Sequence, residues 1–468
     1  MKIAEGLSEG QVLQRRGRRG ATARVIGECA TSGPVFATLA TVRGVVRDWR
    51  ERKVGLARAG RFSATLANVP IGGPYRLTLR CGTERARVEE LYCGDVWLLA
   101  GQSNMEGVGN MSGAAEPHPL VRVFSLARVW RRAEDPLHVL PESPDPCHHV
   151  GKPATPAEAE RLRRTAKKGV GVGVFFAREM FARSGVPQGL IATAHGGTSM
   201  AQWDPALKGR GGESLYGSML LSLRATGQPV AGVLWYQGES DTRDEEPDLY
   251  TDRMRALVAA VRRDLKQPAL PWIMAQIGAV YGDWGGPRWN DTQEQQRLLP
   301  KRIRHLDLVS AVDLPLDDYI HIAAEGFPVL AARMARVADR LVLRNRREAP
   351  MPRLRKIVPP SPKRPHIDVV FANVPGGLRA AGLPRGFTVL DGEGRELPCV
   401  FKTTLLGDRA RLHLAPDLVP GAEHRLAYGH GKTPDCNITD GRGCALPVFG
   451  PLPFVKNEGR LAHGVRSV

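Results

Sequence analysis

The chain has 468 residues, a formal net charge of +18 and 42% hydrophobic residues. This hydrophobic content suits a globular fold and excludes a largely disordered protein. The length predicts two or three domains. No apolar run reaches the roughly 20 residues that a membrane-spanning helix needs, so we expect no integral membrane protein.

The positive charge is spread over the whole sequence. The densest basic cluster, at residues 161–168, has no interleaved aromatic residues that could stack on bases. We therefore expect no nucleic-acid partner, although the net charge alone would allow one. The same charge could attract anionic sugars or polysaccharides.

The cysteines and histidines do not form a metal-binding pattern. None of the seven cysteines belongs to a Cys-x-x-Cys pair, and His148, His149 and His195 lack carboxylates at ligand spacing. We expect no metal and no other cofactor. Cys436 and Cys444 flank a turn rich in Gly and Asp, where they could form a disulfide in an exported protein or remain two thiols.

The first five residues, Met1-Lys2-Ile3-Ala4-Glu5, do not begin an apolar signal segment. We expect either that the protein stays inside the cell or that the sequence lacks its leader.

The chain is predicted to begin with a β-module and to continue with an α/β domain. Residues 1–90 contain segments in which apolar and polar residues alternate, separated by Gly/Pro turns. This pattern is typical of strands. Residues 91–345 alternate short apolar runs with helical stretches, which favours a parallel sheet covered on both faces by helices. The apolar runs are 96–100, 190–194, 232–236, 272–277 and 306–313.

Three amphipathic or capped segments of this region predict helices, at 250–265, at 174–183 and from about 328 to 341. Residues 107–170 interrupt the pattern with Pro-rich, basic sequence, which indicates an active-site surround or a flexible excursion. The Pro-rich, basic stretch 346–365 is predicted to be a linker. Residues 366–468 contain strand patterns again and predict a C-terminal β-module.

Polar sequence follows four of the five apolar runs at once. In a parallel sheet, ligands bind beyond the carboxyl ends of the strands, so these fragments should meet at one rim. The fragments are Gly101-Gln102-Ser103-Asn104, His195-Gly196-Gly197-Thr198, Gln237-Gly238-Glu239-Ser240-Asp241 and Asp317-Asp318-Tyr319-Ile320-His321.

Together the fragments contain what a serine hydrolase needs. Asp318 and His321 are three residues apart, so the carboxylate can orient an imidazole whose other nitrogen faces Ser103. The Ser103 amide, an amide at Gly196-Gly197 and the Gln237 carboxamide could bind an oxyanion.

Each fragment alone has an ordinary structural explanation. Gly-x-Ser occurs by chance, Asp-x-x-His is common at helix caps and on surfaces, and Gly-Gly-Thr can be a tight turn. Trp203 can be a core aromatic. It is their combination, each fragment placed after a strand, that favours catalysis.

With these motifs the central region resembles the SGNH-type sialate O-acetylesterase and carbohydrate acetylesterase family. The resemblance covers residues 7 to about 345, and Ile322 stands where the family often has Pro. The segments that carry it are Gly94-Asp95-Val96-Trp97, Gly101-Gln102-Ser103-Asn104-Met105, Gly196-Gly197-Thr198 with Trp203, Trp235-Tyr236-Gln237-Gly238-Glu239-Ser240-Asp241, and Asp318 with Ile320-His321.

The resemblance implies an SGNH (flavodoxin-like) parallel-sheet hydrolase domain flanked by β-sandwich-like modules. It implies a serine esterase that removes O-acetyl groups from carbohydrates through an acetyl-serine intermediate. Ser103 would be the nucleophile, His321 the base and Asp318 the orienting acid, with Ser103, Gly197 and Gln237 as oxyanion donors. The substrate-binding or supporting residues would be Gln102, Asn104, Gly196, Thr198, Trp203 and Glu239.

Two alternatives remain open from the sequence. One is a broad carboxylesterase that acts on esters without a sugar. The other is an inactive carbohydrate-binding protein whose β-modules hold glycan. The acetylated sugar, whether sialic acid, xylan or another polysaccharide, also stays open, because loops such as 107–170 would select it.

Overall fold

The computed structural model describes residues 1–149, 152–361 and 363–454. The chain divides into two compact units, Met1–Pro350 and Met351–Val468. The strands of the first unit are β1 (Lys2–Glu5), β2 (Gln11–Gln14), β3 (Ala21–Glu28), β4 (Gly33–Thr41), β5 (Gly44–Val45), β6 (Arg52–Arg58), β7 (Arg61–Val69), β8 (Gly72–Cys81), β9 (Glu84–Gly101), β10 (Gly109–Asn110), β11 (Val121–Phe124), β12 (Trp130–Arg132), β13 (Lys168–Val170), β14 (Gln188–Ala192), β15 (Gly232–Tyr236), β16 (Trp272–Gln276) and β17 (Leu306–Ser310). Its helices are α1 (Ser103–Glu106), α2 (Pro156–Thr165), α3 (Val172–Ser184), α4 (Leu215–Thr226), α5 (Glu246–Asp264), α6 (Trp289–Arg302) and α7 (Gly326–Leu341).

Strand β9 joins two parts of one large mixed sheet. Its first half pairs antiparallel with β8 and lies in the N-terminal β-structure. From Asp95 onward it pairs in parallel with β14 on one side, and from Trp97 with β15 on the other. The boundary predicted between residues 90 and 91 therefore lies inside a strand. At that point alternate burial gives way to continuous burial, because both faces of the sheet become covered.

The parallel part of the sheet has the strand order β11-β14-β9-β15-β16-β17. All five predicted apolar runs contribute strands to it. Strand β11 adds a sixth, and β12 pairs antiparallel with β11 at the edge. Both lie in the segment 107–170, whose strands were not predicted because runs of three or four residues are too short to show a period.

The three predicted helices form as α5, α3 and α7. Helix α3 ends at Ser184 and is capped by Gly185, which has a left-handed φ of +67° and donates its amide to Phe181 O. Helices α2, α4 and α6 were not predicted. Helix α6 contains Pro300 and buries polar side chains such as Gln293 and Gln296, so its sequence lacks an apolar stripe. Among the described residues no helix is both long and apolar enough to cross a membrane.

The second unit is built from antiparallel sheets. Two four-stranded sheets have the orders β18-β19-β24-β23 and β22-β21-β25-β27, and β20 pairs with β26. Their strands are β18 (Arg353–Val358), β19 (His366–Ala372), β20 (Leu378–Ala380), β21 (Phe387–Leu390), β22 (Glu396–Leu397), β23 (Val400–Leu406), β24 (Arg409–Leu414), β25 (Arg425–Tyr428), β26 (Ile438–Asp440) and β27 (Phe449–Pro453).

Strand β18 lies within the stretch 346–365 that the prolines marked as a linker. It pairs antiparallel with β19 along most of its length. The prolines near it, Pro350, Pro352 and Pro359, stand outside the strand and so remove none of its hydrogen-bond donors. The prolines thus flank the strand, and six residues of the stretch predicted to be a linker form β18.

Gly101, at the end of β9, offers a test of this architecture. Its φ is +133°, and a Cβ built there would lie 2.1 Å from Tyr236 O on β15. We expect Gly101→Ala to lower the free energy of unfolding by at least about 2 kcal/mol, measured by urea titration. Gly209→Ala is the control, because no atom lies within 4 Å of a Cβ there. Equal midpoints for wild type and Gly101→Ala would contradict the close approach of β9 and β15.

Candidate active site

The pocket at the carboxyl ends of the strands has a volume of about 400 Å³. Residues from five different loops line it, including Ser103 and His321. The lining residues are Gln102, Ser103, Gly197, Glu239, Ser240, Thr242, Arg243, Trp284, Tyr319, Ile320 and His321. The structure thus gathers fragments that are more than 200 residues apart in the sequence.

His321 and Asp318 form a close pair at one side of this pocket. His321 Nδ1 lies 3.0 Å and 2.9 Å from the two carboxylate oxygens of Asp318. The amides of Ile320 and His321 donate to Asp318 Oδ1, at 3.0 Å and 2.9 Å. These bonds fix the carboxylate within its own turn, so the imidazole keeps Nε2 for another partner.

Lys168 also contacts the carboxylate, with its Nζ 2.9 Å from Asp318 Oδ2. Burial acts to raise the pKa of the Asp318 carboxyl, but the hydrogen bonds from His321, Lys168 and the two backbone amides outweigh it. The pKa is therefore well below its usual range. No sequence pattern indicated Lys168, which reaches the site from β13 within the segment 107–170.

Asn104 ties three loops together beneath the pocket. Its buried side chain donates to Glu239 Oε1 at 2.9 Å and to Ile320 O at 3.4 Å. Its Oδ1 accepts the amide of Ile322 at 2.9 Å. Asn104 thus connects the turn that carries Ser103 to the loop after β15 and to the backbone on both sides of His321.

Gln102 makes a similar connection on the other side of Ser103. Its side chain is buried, and its Oε1 accepts the amides of Gly238 and Ser240 at 3.2 Å and 3.3 Å. Its own amide donates to Tyr236 O at 2.8 Å. The two residues that flank Ser103 therefore anchor it to the loop after β15.

Gly196 and Gly197 are positioned by Glu106, at the end of α1. The Gly196 amide donates to Glu106 Oε2 at 2.5 Å. The next residue, Gly197, has a φ of +69° and no atom within 4 Å of a Cβ position. Because the Gly196 amide already has an acceptor, Gly197 is the residue of this pair whose amide suits an oxyanion. Glu106 was not predicted, although it directly follows the motif that ends at Met105.

Gln237 does not lie in the pocket. It is fully buried, and its carboxamide nitrogen donates to Thr198 O at 3.0 Å and to Asp241. Both of its N–H groups are therefore used inside the protein, and neither is left for an oxyanion. The prediction of Gln237 as an oxyanion donor is corrected on this ground. The residue links the loops after β14 and β15.

Thr198 and Trp203 support the same loop from the interior. Trp203 Nε1 donates to Thr198 Oγ1 at 3.0 Å, and that hydroxyl donates to His195 O at 2.7 Å. Trp203 is fully buried and packs edge-on against Trp235 at a ring separation of 5.4 Å. It is a core aromatic that holds the Gly196-Gly197 turn, and it does not touch the pocket.

Six pocket-lining residues were absent from the predicted site, among them Trp284, Tyr319 and Arg243. Trp284 and Tyr319 stack with ring centroids 4.6 Å apart, and Arg243 stands beside them in the pocket lining. Tyr319 belongs to one predicted fragment, and Arg243 lies two residues after another. Trp284 comes from the loop after β16, the one predicted strand that no polar motif follows.

No group of three or more His, Cys, Asp or Glu side chains in the described ranges is arranged to hold a metal ion. His195 and His148 instead bond to each other through their Nδ1 atoms at 3.1 Å, next to the Gly196-Gly197 turn.

Comparison with known proteins agrees with this fold. The structure of a carbohydrate acetylesterase from Xanthomonas citri superposes with a TM-score of 0.70, covering 96% of this chain and 98% of that one at 21% identity. A probable carbohydrate esterase of Arabidopsis thaliana is 28% identical over 51% of this chain and 88% of its own length. The mixed α/β fold of this chain is therefore one that a known carbohydrate esterase shares.

The family can be stated more closely. The family model described as carbohydrate esterase, sialic acid-specific acetylesterase, matches residues 93–340, more than half of the chain. The chain belongs to this family. The sialate O-acetylesterase of Pongo abelii is 26% identical over 47% of this chain, and that of Homo sapiens is also 26% identical, over 43%. The matched regions cover 46% and 42% of those two proteins, less than half of their length.

The connection made by Asn104 can be tested by removing its side chain. Asn104→Ala would leave the buried amide of Ile322 and the Glu239 carboxyl without this partner. We expect the free energy of unfolding to fall by about 1–3 kcal/mol in a urea titration. Asn110→Ala is the matched control, because this exposed side chain accepts only the exposed Ser112 amide, which water can hydrate. An equal loss in both variants would contradict the role of Asn104.

The Glu106 carboxyl gives a pH-dependent test. Burial raises its pKa to about 7, and the hydrogen bond from Gly196 only partly opposes this shift. A raised pKa means that the folded state holds the proton more tightly, so this contribution to stability is full below pH 4.5 and is lost as the pH rises through 7.

Glu106→Gln keeps a neutral acceptor for the Gly196 amide. We expect the free energy of unfolding of Glu106→Gln to rise by about 1–3 kcal/mol relative to wild type as the pH goes from 4.5 to 8. Unfolding titrations across that pH range would measure it. The exposed Glu116→Gln serves as the control. A difference between Glu106→Gln and wild type that stays constant with pH would show that Glu106 does not titrate in this way.

Proposed function

We propose that the protein is a serine esterase of the SGNH type that removes O-acetyl groups from carbohydrates. The observation that carries this proposal is that Ser103 and His321 line one pocket at the carboxyl end of the parallel sheet, and that Asp318 bonds to His321 beside it. Family membership supports the reaction class, since the family is one of acetylesterases acting on carbohydrates.

In the first step, Ser103 Oγ attacks the carbonyl carbon of the acetyl ester. His321 Nε2 takes the hydroxyl proton, and the C–O bond to the sugar then breaks. His321 returns its proton to the departing sugar oxygen, which leaves as a hydroxyl group. The product of this half-reaction is an acetyl-serine ester on Ser103.

In the second step, water attacks the acetyl-serine. His321 takes a proton from the water, and the Ser103 oxygen regains its proton as acetate leaves. Asp318 holds the imidazole in one tautomer and stabilises the imidazolium in both steps. Lys168 and the backbone amides keep this carboxylate ionised, so it does not compete for the proton.

The oxyanion of each tetrahedral intermediate needs preorganised donors. Ser103 is the first residue of α1, so its amide has no acceptor within that helix. The Gly197 amide is the second donor, placed by the bond between Gly196 and Glu106. Each such donor typically contributes about 10²–10³-fold to turnover.

A broad carboxylesterase would use the same residues, so only its substrates distinguish it. Acetate release from short esters but not from acetylated sialosides or xylo-oligosaccharides would favour that rival. Glycan binding with no acetate release from any ester would favour the inactive carbohydrate-binding protein.

The nucleophile can be tested directly. Ser103→Ala removes the only atom that forms the acyl-enzyme, so we expect acetate release to fall by at least about 10³-fold. The assay would measure acetate from p-nitrophenyl acetate and from acetylated oligosaccharides. Ser112→Ala, an exposed serine outside the pocket, should match the wild type. Undiminished activity of Ser103→Ala would refute the assignment.

The orienting acid makes a second, graded prediction. Asp318→Asn preserves the shape of the side chain but removes the negative charge beside His321. We expect kcat to fall about 10²–10⁴-fold with a small change in KM, measured by steady-state kinetics near neutral pH. Asp317→Asn is the neighbouring control, since its carboxylate accepts the Asn110 amide and does not bond His321. A loss confined to KM would mean that Asp318 contacts substrate instead.

A further inference from the structure

The mouth of the pocket carries an exposed aromatic pair, Trp284 and Tyr319. Their rings are nearly parallel, with an interplanar angle of 16° and a centroid separation of 4.6 Å. Trp284 is 66% exposed and Tyr319 is 36% exposed. Seven of the eight tryptophans, all within the described ranges, are buried, and Trp284 is the exception. Such an exposed apolar surface next to a pocket is typical of a ligand contact.

The pair is attached to the proposed catalytic residues. Tyr319 lies between Asp318 and His321 in the chain, and its ring centroid is 6.4 Å from that of the imidazole. The Tyr281 amide donates to Tyr319 O at 2.7 Å, which joins the loop after β16 to the loop that carries His321. A ligand on these rings would therefore lie beside the reacting ester.

The chemistry of the pair favours a sugar ring. The face of an aromatic ring is electron-rich and attracts partially positive C–H groups. A pyranose presents C–H groups on its faces and hydroxyl groups around its edge. Arg243 and Ser240 line the same pocket and can supply hydrogen bonds to such edge oxygens, with Arg243 also donating to Asp283 O at 3.0 Å.

We propose that Trp284 and Tyr319 form a stacking subsite for the pyranose ring whose acetyl ester is cleaved at Ser103. The inference rests on the proposed function, because it places the leaving sugar beside the nucleophile. In this proposal the loop after β16 selects sugar acetates over simple esters, and Trp284 makes the main contact with the sugar.

The test compares a sugar substrate with an ester that has no ring. Wild type, Trp284→Ala and Trp284→Phe would be assayed on acetylated sialosides, acetylated xylo-oligosaccharides and ethyl acetate. For the sugar that wild type deacetylates best, we expect Trp284→Ala to lower the ratio of kcat/KM for sugar to that for ethyl acetate about tenfold. Most of the change should be in KM, and Trp284→Phe should restore most of it.

A matched control is Phe401→Ala, which removes an exposed aromatic from the second unit and should leave this ratio unchanged. An unchanged ratio in Trp284→Ala, which an equal loss on both substrates would also give, would overturn the subsite.

A binding measurement separates this inference from the proposed reaction. Calorimetry would measure the affinity for the same acetylated sugars of the single variant Ser103→Ala and of the double variant Ser103→Ala/Trp284→Ala. About tenfold weaker binding in the double variant supports the subsite even if wild type releases no acetate, in which case only the proposed reaction fails. Equal affinities, or no binding by either variant, would reject the subsite.

Discussion

The structure of the first unit depends on the continuity of β9. This 18-residue strand leaves the antiparallel N-terminal sheet and becomes the central strand of the parallel sheet without a break. Its last eleven residues are all buried, and from Trp97 onward it runs between β14 and β15. A central strand with two parallel neighbours has little freedom to shift its register. This fixed register sets the position of the turn at the end of β9 and of Ser103 within that turn.

The loops around the pocket are held mainly by buried side chains that bond to the backbone. Gln102 and Asn104 flank Ser103 and accept amides from two other loops. Glu106 does the same for Gly196. Such bonds cost more to break inside the protein than at its surface, because the freed groups cannot be hydrated. The site is therefore held together by the residues next to Ser103 in sequence.

Several carboxyls in this network are protonated more readily than usual. Burial raises the pKa of Glu106, Glu239 and Asp241 to about 7 in each case, against the hydrogen bonds that oppose it. Asp318 differs, since its donors outweigh burial and lower its pKa. Asp318 is less buried than these carboxyls and accepts more hydrogen bonds, and the two differences together account for the contrast. Asp318 therefore keeps its negative charge beside His321 at neutral pH, whereas Glu106, Glu239 and Asp241 are only partly ionised there.

The sequence by itself determined the mixed α/β class, the five central strands, three of the helices and the fragments from which the pocket is built. These features leave local signals, namely apolar runs, helical periods and polar residues just after strands. Only the tertiary structure decided that β9 is shared by two parts of one sheet and that β18 lies within the expected linker. The tertiary structure also places the Gln237 side chain in the interior, and it places Lys168, Glu106 and Trp284 at the site. These outcomes depend on which loops meet and which buried groups find partners, and no local pattern records such contacts.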